Sequence, residues 1–361
     1  MAIARFLYNN LITSETMITV SSLRTGLVTA ALKEGTGSAT LNPSGSFSGA
    51  TDLEYTIEID SVAGGAEIGQ ATFRWSDGSG GWNASGVLTS AVNITLNNGV
   101  QINWTAGAGA DFVIADTWYL KGVNLFNAGK MIDLDRDHRY RSRVLEAPNT
   151  ITIDLATAQE VKAFILYDHN LSSTATITLQ GDAAATFDSD GGNPQFTEAV
   201  TWGLDKILHY LSTATTKRYW RIRINDVAGN ADGFIEIGEL FLGSYIELTR
   251  NYAIGFRSTK AVIVTSNRTP YGVGRDHFYN VATNFDINFR VMLAADITLL
   301  EAMITAITDR SAGTYDPFWF DEDPDEADKI WMMKIKSLPT SHRGRTWYDM
   351  GMKMEEVLRS V

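Results

Sequence analysis

The strongest constraint on the fold is a period-two pattern of apolar and polar residues that recurs along most of the chain. In "RYWRIRIN", Trp220, Ile222 and Ile224 alternate with Arg221 and Arg223. Successive side chains of a β-strand point to opposite faces, so the pattern predicts a strand with one buried face and one exposed face. A second alternating stretch, "GFIEIGELFLG", follows a loop rich in Gly, Asn and Asp, and the two together predict a β-hairpin.

Similar stretches, separated by turn residues, predict a chain that is mainly β. "EYTIEID" places Tyr55, Ile57 and Ile59 on one face, and "VNITLNNGVQINW" contains an Asn98-Gly99 turn. Residues 36–121 are rich in Gly, Ser, Thr and Asn and predict a small all-β module. The sequence around this module predicts one interrupted β-sandwich, made of residues 1–35 and 122–245.

Residues 246–361 are predicted to form a third domain, which is β-rich with one helix packed on a sheet. The helix is predicted in "ADITLLEAMITAITDR", where apolar residues recur at helical spacing. Thr298 and Glu301 fit a capping box, and Asp296 is a competing N-cap. "YDPFWF", "KIWMMKIKSL" and "WYDMGMKMEEVL" are predicted strands. The acidic run from Asp321 to Asp328 is predicted to be a solvated loop, or a loop that meets basic residues of a neighbouring subunit.

Composition excludes several classes of protein. The 361 residues carry a net charge of -12, which argues against a nucleic-acid-coating role, because phosphate binding needs clustered Lys and Arg. The chain has no cysteine, which excludes disulfides, thiol nucleophiles and Cys-ligated zinc. The sequence has no run long enough for a membrane span and no signal-peptide pattern at its start, so we expect synthesis and folding in a cytoplasm.

Two stretches carry family resemblances. The segment from "ITIDLATAQEVKAFILYDHNL" to "YWRIRINDVAGNADGFIEIGELFLG" resembles discoidin-like, or galactose-binding-like, β-sandwiches, which typically show "I.IDLG", "V.A..L..HNL" and "YWRI.I" strands. The segment from "NFDINFRVML" through the helix to "PFWF" and "WMMKI" resembles the C-terminal part of bacteriophage distal tail and minor tail proteins. The inserted module is similar to β modules of phage structural proteins.

These resemblances imply a structural virion protein of a phage tail tip or baseplate, which would be located in the virion tail. Its implied partners are copies of itself in a ring and other tail proteins, such as tube, hub, fibre or receptor-binding proteins. The alternative function is carbohydrate binding, in which an adsorption protein contacts host surface glycans.

The sequence contains none of the common motifs for catalysis. The five histidines show neither H-x-x-x-H nor H-E-x-x-H spacing, and the sequence contains neither a G-x-S-x-G elbow nor a P-loop. We therefore expect a protein that is not an enzyme and uses no cofactor. Asp133, Asp135 and Asp137 alternate as in the start of an EF-hand loop, but the central Gly and distal Glu are missing. A salt-bridged loop is the preferred interpretation of these three residues, and no metal site is predicted.

Sugar binding is the leading ligand hypothesis, because carbohydrate sites combine aromatic faces with amide and carboxylate groups. The sandwich offers two groups of candidates. Aromatic and polar side chains suited to a glycan or protein contact are His169, Asn170, Trp202, Tyr210 and Arg221. The loop from Asp226 to Gly233 adds Asp226, Asn230 and Asp232, since exposed loops on rigid scaffolds often carry contacts. Core packing of the aromatic residues is the competing interpretation.

Overall fold

The computed structural model describes residues 3–49, 52–252, 257–268, 274–309, 314–326, 329–343 and 348–358. The chain divides into two compact units. Unit 1 comprises Met1–Ser21, Gly129–Arg139 and Leu145–Val361, and unit 2 comprises Ser22–Ala128 and Tyr140–Val144. Among the described residues, no helix has the length and apolar character needed to cross a membrane.

The strands of the first half of the chain are short. In chain order they are β1 (Arg5–Asn10), β2 (Ile18–Val20), β3 (Leu27–Val28), β4 (Leu32–Glu34), β5 (Thr40–Gly45), β6 (Leu53–Ser61), β7 (Thr72–Ser76), β8 (Ala84–Leu88), β9 (Ile94–Thr95), β10 (Val100–Thr105), β11 (Thr117–Val123) and β12 (Tyr140–Arg141). Single 3-10 turns occupy Glu15–Met17, Asn97–Gly99 and Ala128–Met131.

Longer strands and one α-helix follow. They are β13 (Asn149–Tyr167), β14 (Thr176–Asp182), β15 (Phe196–Val200), β16 (Lys206–Asn225), β17 (Glu236–Ile237), β18 (Glu239–Glu247), β19 (Arg257–Arg268), β20 (Gly274–Met292), α1 (Ala294–Ala306), β21 (Thr308–Asp309), β22 (Thr314–Tyr315), β23 (Phe318–Asp321), β24 (Ile330–Arg343) and β25 (Tyr348–Glu356). The chain is therefore mainly β, with antiparallel sheets and, among the described residues, one α-helix, as the sequence predicted.

Twelve described strands of unit 1 form one sheet. Its order is β15-β14-β16-β13-β18-β1-β23-β24-β25-β20-β19, and β2 also pairs with β13. The predicted burial of Trp220, Ile222 and Ile224 is confirmed, since each is at most 1% exposed. The predicted hairpin is wrong, because β13 lies between β16 and β18 and hydrogen-bonds to both. Alternation fixes which face of a strand is buried, but a nonlocal partner can take the place of the next strand along the chain.

Helix α1 packs on the part of this sheet that contains β20 and β23. Ile297, Leu300 and Met303 belong to the same buried cluster as Phe285 and Phe289. The helix that the sequence predicted is thus confirmed.

The predicted cap of α1 is wrong. The N-cap residue is Leu293, which makes no side-chain cap bond. The Thr298 hydroxyl donates to the Ala294 carbonyl, and the Asp296 carboxylate accepts from the Thr249 backbone N–H at 3.0 Å. Asp296 therefore fixes the chain beyond β18 instead of capping the helix.

The acidic run from Asp321 to Asp328 is only partly a solvated loop. Asp321 ends β23, is fully buried and accepts a hydrogen bond from the Tyr210 hydroxyl at 2.5 Å. Asp325 and Glu326 are exposed, and residues 327–328 lie outside the described part. The solvated-loop prediction is wrong for Asp321, because that residue belongs to β23, which lies between β1 and β24 within the sheet.

Unit 2 is a β-sandwich of two sheets. One sheet has the order β5-β10-β9, and the other has the order β3-β11-β6-β7-β8, with β4 also paired with β11. The core between them contains Phe73, Trp104, Phe112 and Trp118. The predicted turn is confirmed, since Asn98 and Gly99 have φ values of 50° and 73°.

The predicted division into three domains, 1–35 with 122–245, 36–121 and 246–361, stays a prediction. Strand β18 runs without a break across the predicted boundary at residue 245, and both sides of that boundary fall in unit 1. Residues 22–35 fall in unit 2.

Candidate functional site

Asn170, one of the predicted contact residues, has its amide fully engaged within unit 1. Its Oδ1 accepts from the Glu236 backbone N–H at 2.7 Å. Its Nδ2 donates to Asp232 Oδ2 at 2.9 Å and to the Phe234 carbonyl at 3.0 Å. The amide therefore fixes the loop after β16 onto the end of β13, and few of its hydrogen bonds are left for a ligand.

Asp226 and Asn230 hold the same loop. The Asp226 carboxylate accepts from the Ser172 backbone N–H at 2.8 Å and from the Ser172 hydroxyl. Asn230 Nδ2 donates to the carbonyls of Asn170 and Phe234 at 3.3 and 3.1 Å. Asp226 is 2% exposed, so its carboxylate contributes to loop structure instead of to an open surface.

His169 and Trp202 lie beside this loop. His169 Nδ1 accepts from the Leu171 backbone N–H at 3.2 Å, and Trp202 Nε1 donates to the Leu171 carbonyl at 3.0 Å. Burial lowers the pKa of His169, which favours the neutral ring. The structure thus brings together six of the eight predicted residues, His169, Asn170, Trp202, Asp226, Asn230 and Asp232, in a cluster whose polar groups bind one another and the backbone of neighbouring residues.

Tyr210 contributes to a different cluster. Its hydroxyl donates to Asp321, and the Arg5 guanidinium lies 4.2 Å from the centre of its ring and 4.3 Å from that of Tyr245. Burial raises the pKa of Asp321 to about 6 and raises that of Tyr210. Tyr210 therefore joins β16 to β1 and β23 and is not brought to the loop cluster.

Arg221 also lies apart from the loop cluster. Its Nε donates to Gln180 Oε1 at 2.9 Å, and its guanidinium lies 4.2 Å from the centre of the Phe187 ring. These contacts place Arg221 on the outer face of β14 and β16. The residues predicted to form one sugar site therefore lie in three separate places: the loop cluster, the Tyr210 cluster, and the outer face of β14 and β16 at Arg221.

The three alternating aspartates form successive turns. Asp133 Oδ1 accepts from the Asp135 N–H at 3.1 Å, and Asp135 Oδ1 accepts from the Asp137 N–H at 3.0 Å. Asp133 Oδ2 lies 2.9 Å from His138 Nδ1 and 3.5 Å from Lys130 Nζ. In the part of the chain that the structure describes, no group of three His, Cys, Asp or Glu residues could hold a metal ion.

A groove on the outer face of the six-stranded sheet of unit 2 is better suited to a ligand. Its volume is about 440 Å³, and the following residues line it: Thr56, Glu58, Ser76, Gly80, Gly81, Trp82, Thr117 and Tyr119. We call it the Trp82 groove.

Strand register explains why these side chains share one face. Tyr119 pairs with Thr56, which pairs with Ser76, and in the next row Thr117 pairs with Glu58. Directly paired residues in an antiparallel sheet point to the same face, so the rows form the floor of the groove.

Trp82 forms one wall of the groove from the loop between β7 and β8. The Arg74 guanidinium lies 4.1 Å from the centre of its ring, and Arg74 Nη2 donates to Glu58 Oε1 at 2.7 Å. The Trp82 side chain is nevertheless 41% exposed. The ion pair therefore orients the indole on one side while much of its surface stays accessible.

Asp77 organises the loop that carries Trp82. Its Oδ1 accepts from the Ser79 hydroxyl and N–H at 2.6 and 3.1 Å, and its Oδ2 accepts from Asn97 Nδ2 at 2.5 Å. Its own N–H donates to Asn83 Oδ1 at 2.9 Å. The Ser79 hydroxyl is the largest cause that lowers the pKa of Asp77, so the ionised carboxylate holds the loop.

The Asp77→Ala variant is expected to lose stability and to loosen the Trp82 loop. Hydrogen bonds to a charged group contribute about 1.5–3 kcal/mol each, so we expect unit 2 to lose about 2 kcal/mol. Guanidinium denaturation followed by tryptophan fluorescence measures this loss. Asp188→Ala, which removes an exposed carboxylate of unit 1, is the control. Equal stability of Asp77→Ala and the unaltered chain would show that the carboxylate does not hold the loop.

The sequence interpretation missed the Trp82 groove. The signal lay in "WSDGSGGWNASG", where Trp82 stands among Gly, Ser and Asn and outside any alternating stretch. A tryptophan in a polar turn has no strand face on which to be buried, so its side chain is a candidate for contact with a ligand. The sandwich resemblance covers residues of unit 1 and does not point to this loop.

Comparison with known proteins gave structural likeness only. No protein-family model matches the chain, and no curated protein matches it. A Ruminococcus gnavus fucosidase in complex with fucose has a TM-score of 0.28 at 18% identity, and the match covers 35% of this chain and 24% of the fucosidase.

Two smaller neighbours are sugar-binding modules. A chitosan-binding module from a Paenibacillus chitosanase/glucanase has a TM-score of 0.25 at 20% identity, and the match covers 34% of this chain and 88% of the module. A Streptococcus pneumoniae fucose-binding module has a TM-score of 0.25 at 12% identity, with coverage of 33% and 82%. At these scores the likeness carries no argument about what this chain binds.

Proposed function

We propose that this protein binds carbohydrate, and that the Trp82 groove is the binding site. The groove combines two aromatic side chains, Trp82 from a loop and Tyr119 from the sheet, with hydroxyl and carboxylate groups of the same sheet face. Sugars present C–H faces that pack on aromatic rings and hydroxyls that hydrogen-bond to such polar groups. A β-sheet is a suitable support, because its side chains need little rearrangement on binding.

The dimensions of the groove suit a sugar ring. Tyr119 lies on β11 and Arg74, which supports Trp82, lies on β7, with β6 between them. Two strand spacings separate β11 from β7, which amounts to about 10 Å. A pyranose ring can lie across this floor, with its apolar face on Trp82 or Tyr119 and its hydroxyls facing Thr56, Ser76 and Thr117.

The observation that carries the proposal is the exposure of Trp82. A large aromatic side chain in a soluble β-sandwich is usually packed in the core, as Trp104 and Trp118 are here. Trp82 is instead exposed at the edge of a groove and is held in place by an ion-paired arginine. Interfaces commonly use tryptophan of this kind as an anchor.

The test is a titration of the intact protein with a panel of neutral and charged oligosaccharides by calorimetry. Removal of an anchoring tryptophan commonly costs about 2 kcal/mol or more, so Trp82→Ala should weaken binding roughly thirtyfold. Trp82→Phe keeps an aromatic face and should retain part of the affinity.

The matched control is Leu88→Ala, which removes an exposed apolar side chain from β8 of the same sheet, outside the groove. It should leave binding unchanged. Failure of every oligosaccharide to bind the intact protein would sink the proposal. Binding that Trp82→Ala leaves unaltered would place the sugar elsewhere on the chain.

A second candidate function is that of a structural subunit of a phage tail tip, located in the virion tail. It is supported by the sequence resemblance of residues 246–361, whose strand, helix and aromatic strand occur in the order on which that resemblance rests. This function would require a closed ring of identical chains, with tail proteins as partners. Electron microscopy of the purified chain tests it, and a strictly monomeric protein would contradict it. Ring formation and sugar binding could coexist in one protein.

A further inference from the structure

The Trp82 groove carries more negative than positive side chains. Glu58 lines it, Glu34 contacts the Tyr119 hydroxyl at 3.4 Å, and Glu54 lies on the same face of the sheet beside Lys121. Lys121 and Arg74 are the cations of this face. Asp60 on β6 also lies on this face, since it accepts a hydrogen bond from the Thr72 hydroxyl, so the face holds four carboxylates against two cations.

Two of the carboxylates are neutralised by the two cations. Glu58 pairs with Arg74 at 2.7 Å, and Glu54 pairs with Lys121 at 3.4 Å. Within the part of the chain that the structure describes, Glu34 has no Lys, Arg or His nitrogen within 4.0 Å. Asp60 likewise has no such partner in the described part, but it accepts from the Thr72 hydroxyl and the Gly86 N–H, so the unneutralised carboxylate beside Tyr119 is that of Glu34.

The negative charge of these carboxylates affects the pKa of the Tyr119 hydroxyl. The charge of Glu34 is the largest cause that raises the pKa of Tyr119, and Glu58 and Glu54 add to it. All three carboxylates therefore act on one hydroxyl at the Tyr119 end of the groove. A positively charged group placed there would be attracted, and a ligand carboxylate would be repelled.

We propose that the Trp82 groove selects a sugar that carries a protonated amine, such as an oligosaccharide of glucosamine, and discriminates against sugars that carry carboxylates. This inference rests on the proposed function and adds the charge class of the ligand. The sugar ring packs on an aromatic side chain of the groove, and its ammonium group lies beside Glu34. Arg74 does not oppose this, because Glu58 already neutralises it.

The test compares four-residue oligomers of glucosamine, N-acetylglucosamine and galacturonic acid at one mildly acidic pH. One exposed ion pair contributes about 0.2–1 kcal/mol, so the glucosamine oligomer should bind about 1.4- to fivefold more tightly than its acetylated counterpart. Added salt should reduce this preference, because exposed charges are screened. The galacturonic acid oligomer should bind most weakly.

The Glu34→Gln variant should abolish most of the preference without weakening binding of the acetylated oligomer. Glu67→Gln is the control, because it makes the same charge change at an exposed position of unit 2 outside the groove. It should keep the full preference. Circular dichroism of both variants verifies that they are folded.

The outcomes separate the two proposals. Equal affinity for the amine and acetylated oligomers, or tighter binding of the galacturonic acid oligomer, would overturn the charge selection and leave sugar binding standing. An amine preference that persists in Glu34→Gln would overturn the role of Glu34. No binding of any of the three oligomers, or of the wider panel, would overturn the proposed function itself.

Discussion

The Trp104→Ala variant is expected to lose about 3–5 kcal/mol of unfolding free energy, the cost of removing a large aromatic side chain from a packed core. Trp104 is 1% exposed and lies at the centre of the unit 2 sandwich. Its ring contacts Phe73, Phe112 and Trp118 edge to face, with centroid separations of 4.9, 5.9 and 6.2 Å. Guanidinium denaturation followed by circular dichroism measures the loss.

Two further variants serve as comparisons for Trp104→Ala. Trp104→Phe keeps an aromatic ring and removes an indole N–H that has no hydrogen-bond partner in the part of the chain that the structure describes, so it should cost much less than Trp104→Ala. Val92→Ala alters a side chain that is 74% exposed and should change stability by less than about 0.5 kcal/mol. A loss below about 1 kcal/mol for Trp104→Ala would contradict the packing described for this core.

The pH dependence of unit 1 stability is expected to be set in part by Glu239. This residue is 1% exposed, its Oε1 has no hydrogen-bond partner among the described residues, and burial raises its pKa to about 9. Nearby Asp133 and Asp168 contribute to the increase, and Arg136 opposes it. The carboxyl is therefore neutral in the folded protein at neutral pH.

The sign of the effect follows from the raised pKa. The unfolded chain ionises Glu239 near its ordinary pKa of about 4.3, whereas the folded protein keeps the proton until pH approaches about 9. The stabilising contribution is complete below the unfolded pKa and is lost as pH rises through the folded pKa. Over this window the loss is about 1.4 kcal/mol for each pH unit.

The Glu239→Gln variant should remove this dependence, because glutamine is neutral at every pH. The free energy of unfolding of the variant minus that of the unaltered protein should therefore increase by about 3 kcal/mol over two pH units in the neutral to mildly alkaline range. Denaturant titrations at several pH values measure the difference, in which the other titrating groups cancel. Glu301→Gln on α1, which also removes one carboxylate, is the matched control. A difference that stays constant with pH would show that Glu239 is ionised in the folded protein.

Local sequence patterns predicted the strands and the helix well. Alternation in "EYTIEID" and "YWRIRIN" identified the buried residues, because a strand in a sheet with one buried face must alternate. Helical spacing identified α1, since one apolar stripe packs it on the sheet. The Asn98-Gly99 turn was equally predictable, because its positive φ angles favour these residue types.

The pairing partners of the strands and the residues of the candidate site were less predictable from the sequence. Nothing in the alternating pattern of β16 and β18 indicates that β13 separates them, because every strand offers the same backbone donors and acceptors. The aromatic and polar residues proposed for one sugar site lie apart in the structure. Tyr210 hydrogen-bonds to Asp321, and Arg221 hydrogen-bonds to Gln180, on strands far apart in sequence.

The sequence by itself determined that the chain is mainly β, which strand faces are buried and where one helix forms, since these depend on neighbouring residues. Only the tertiary structure decided the order of the strands and the burial of Asp321 and Glu239. It also decided that Trp82, Glu58 and Tyr119 line the same groove. The physical reason is that hydrogen-bond partners, burial and local charge are set by residues tens to hundreds of positions away. Local periodicity contains no information about which of these residues will meet.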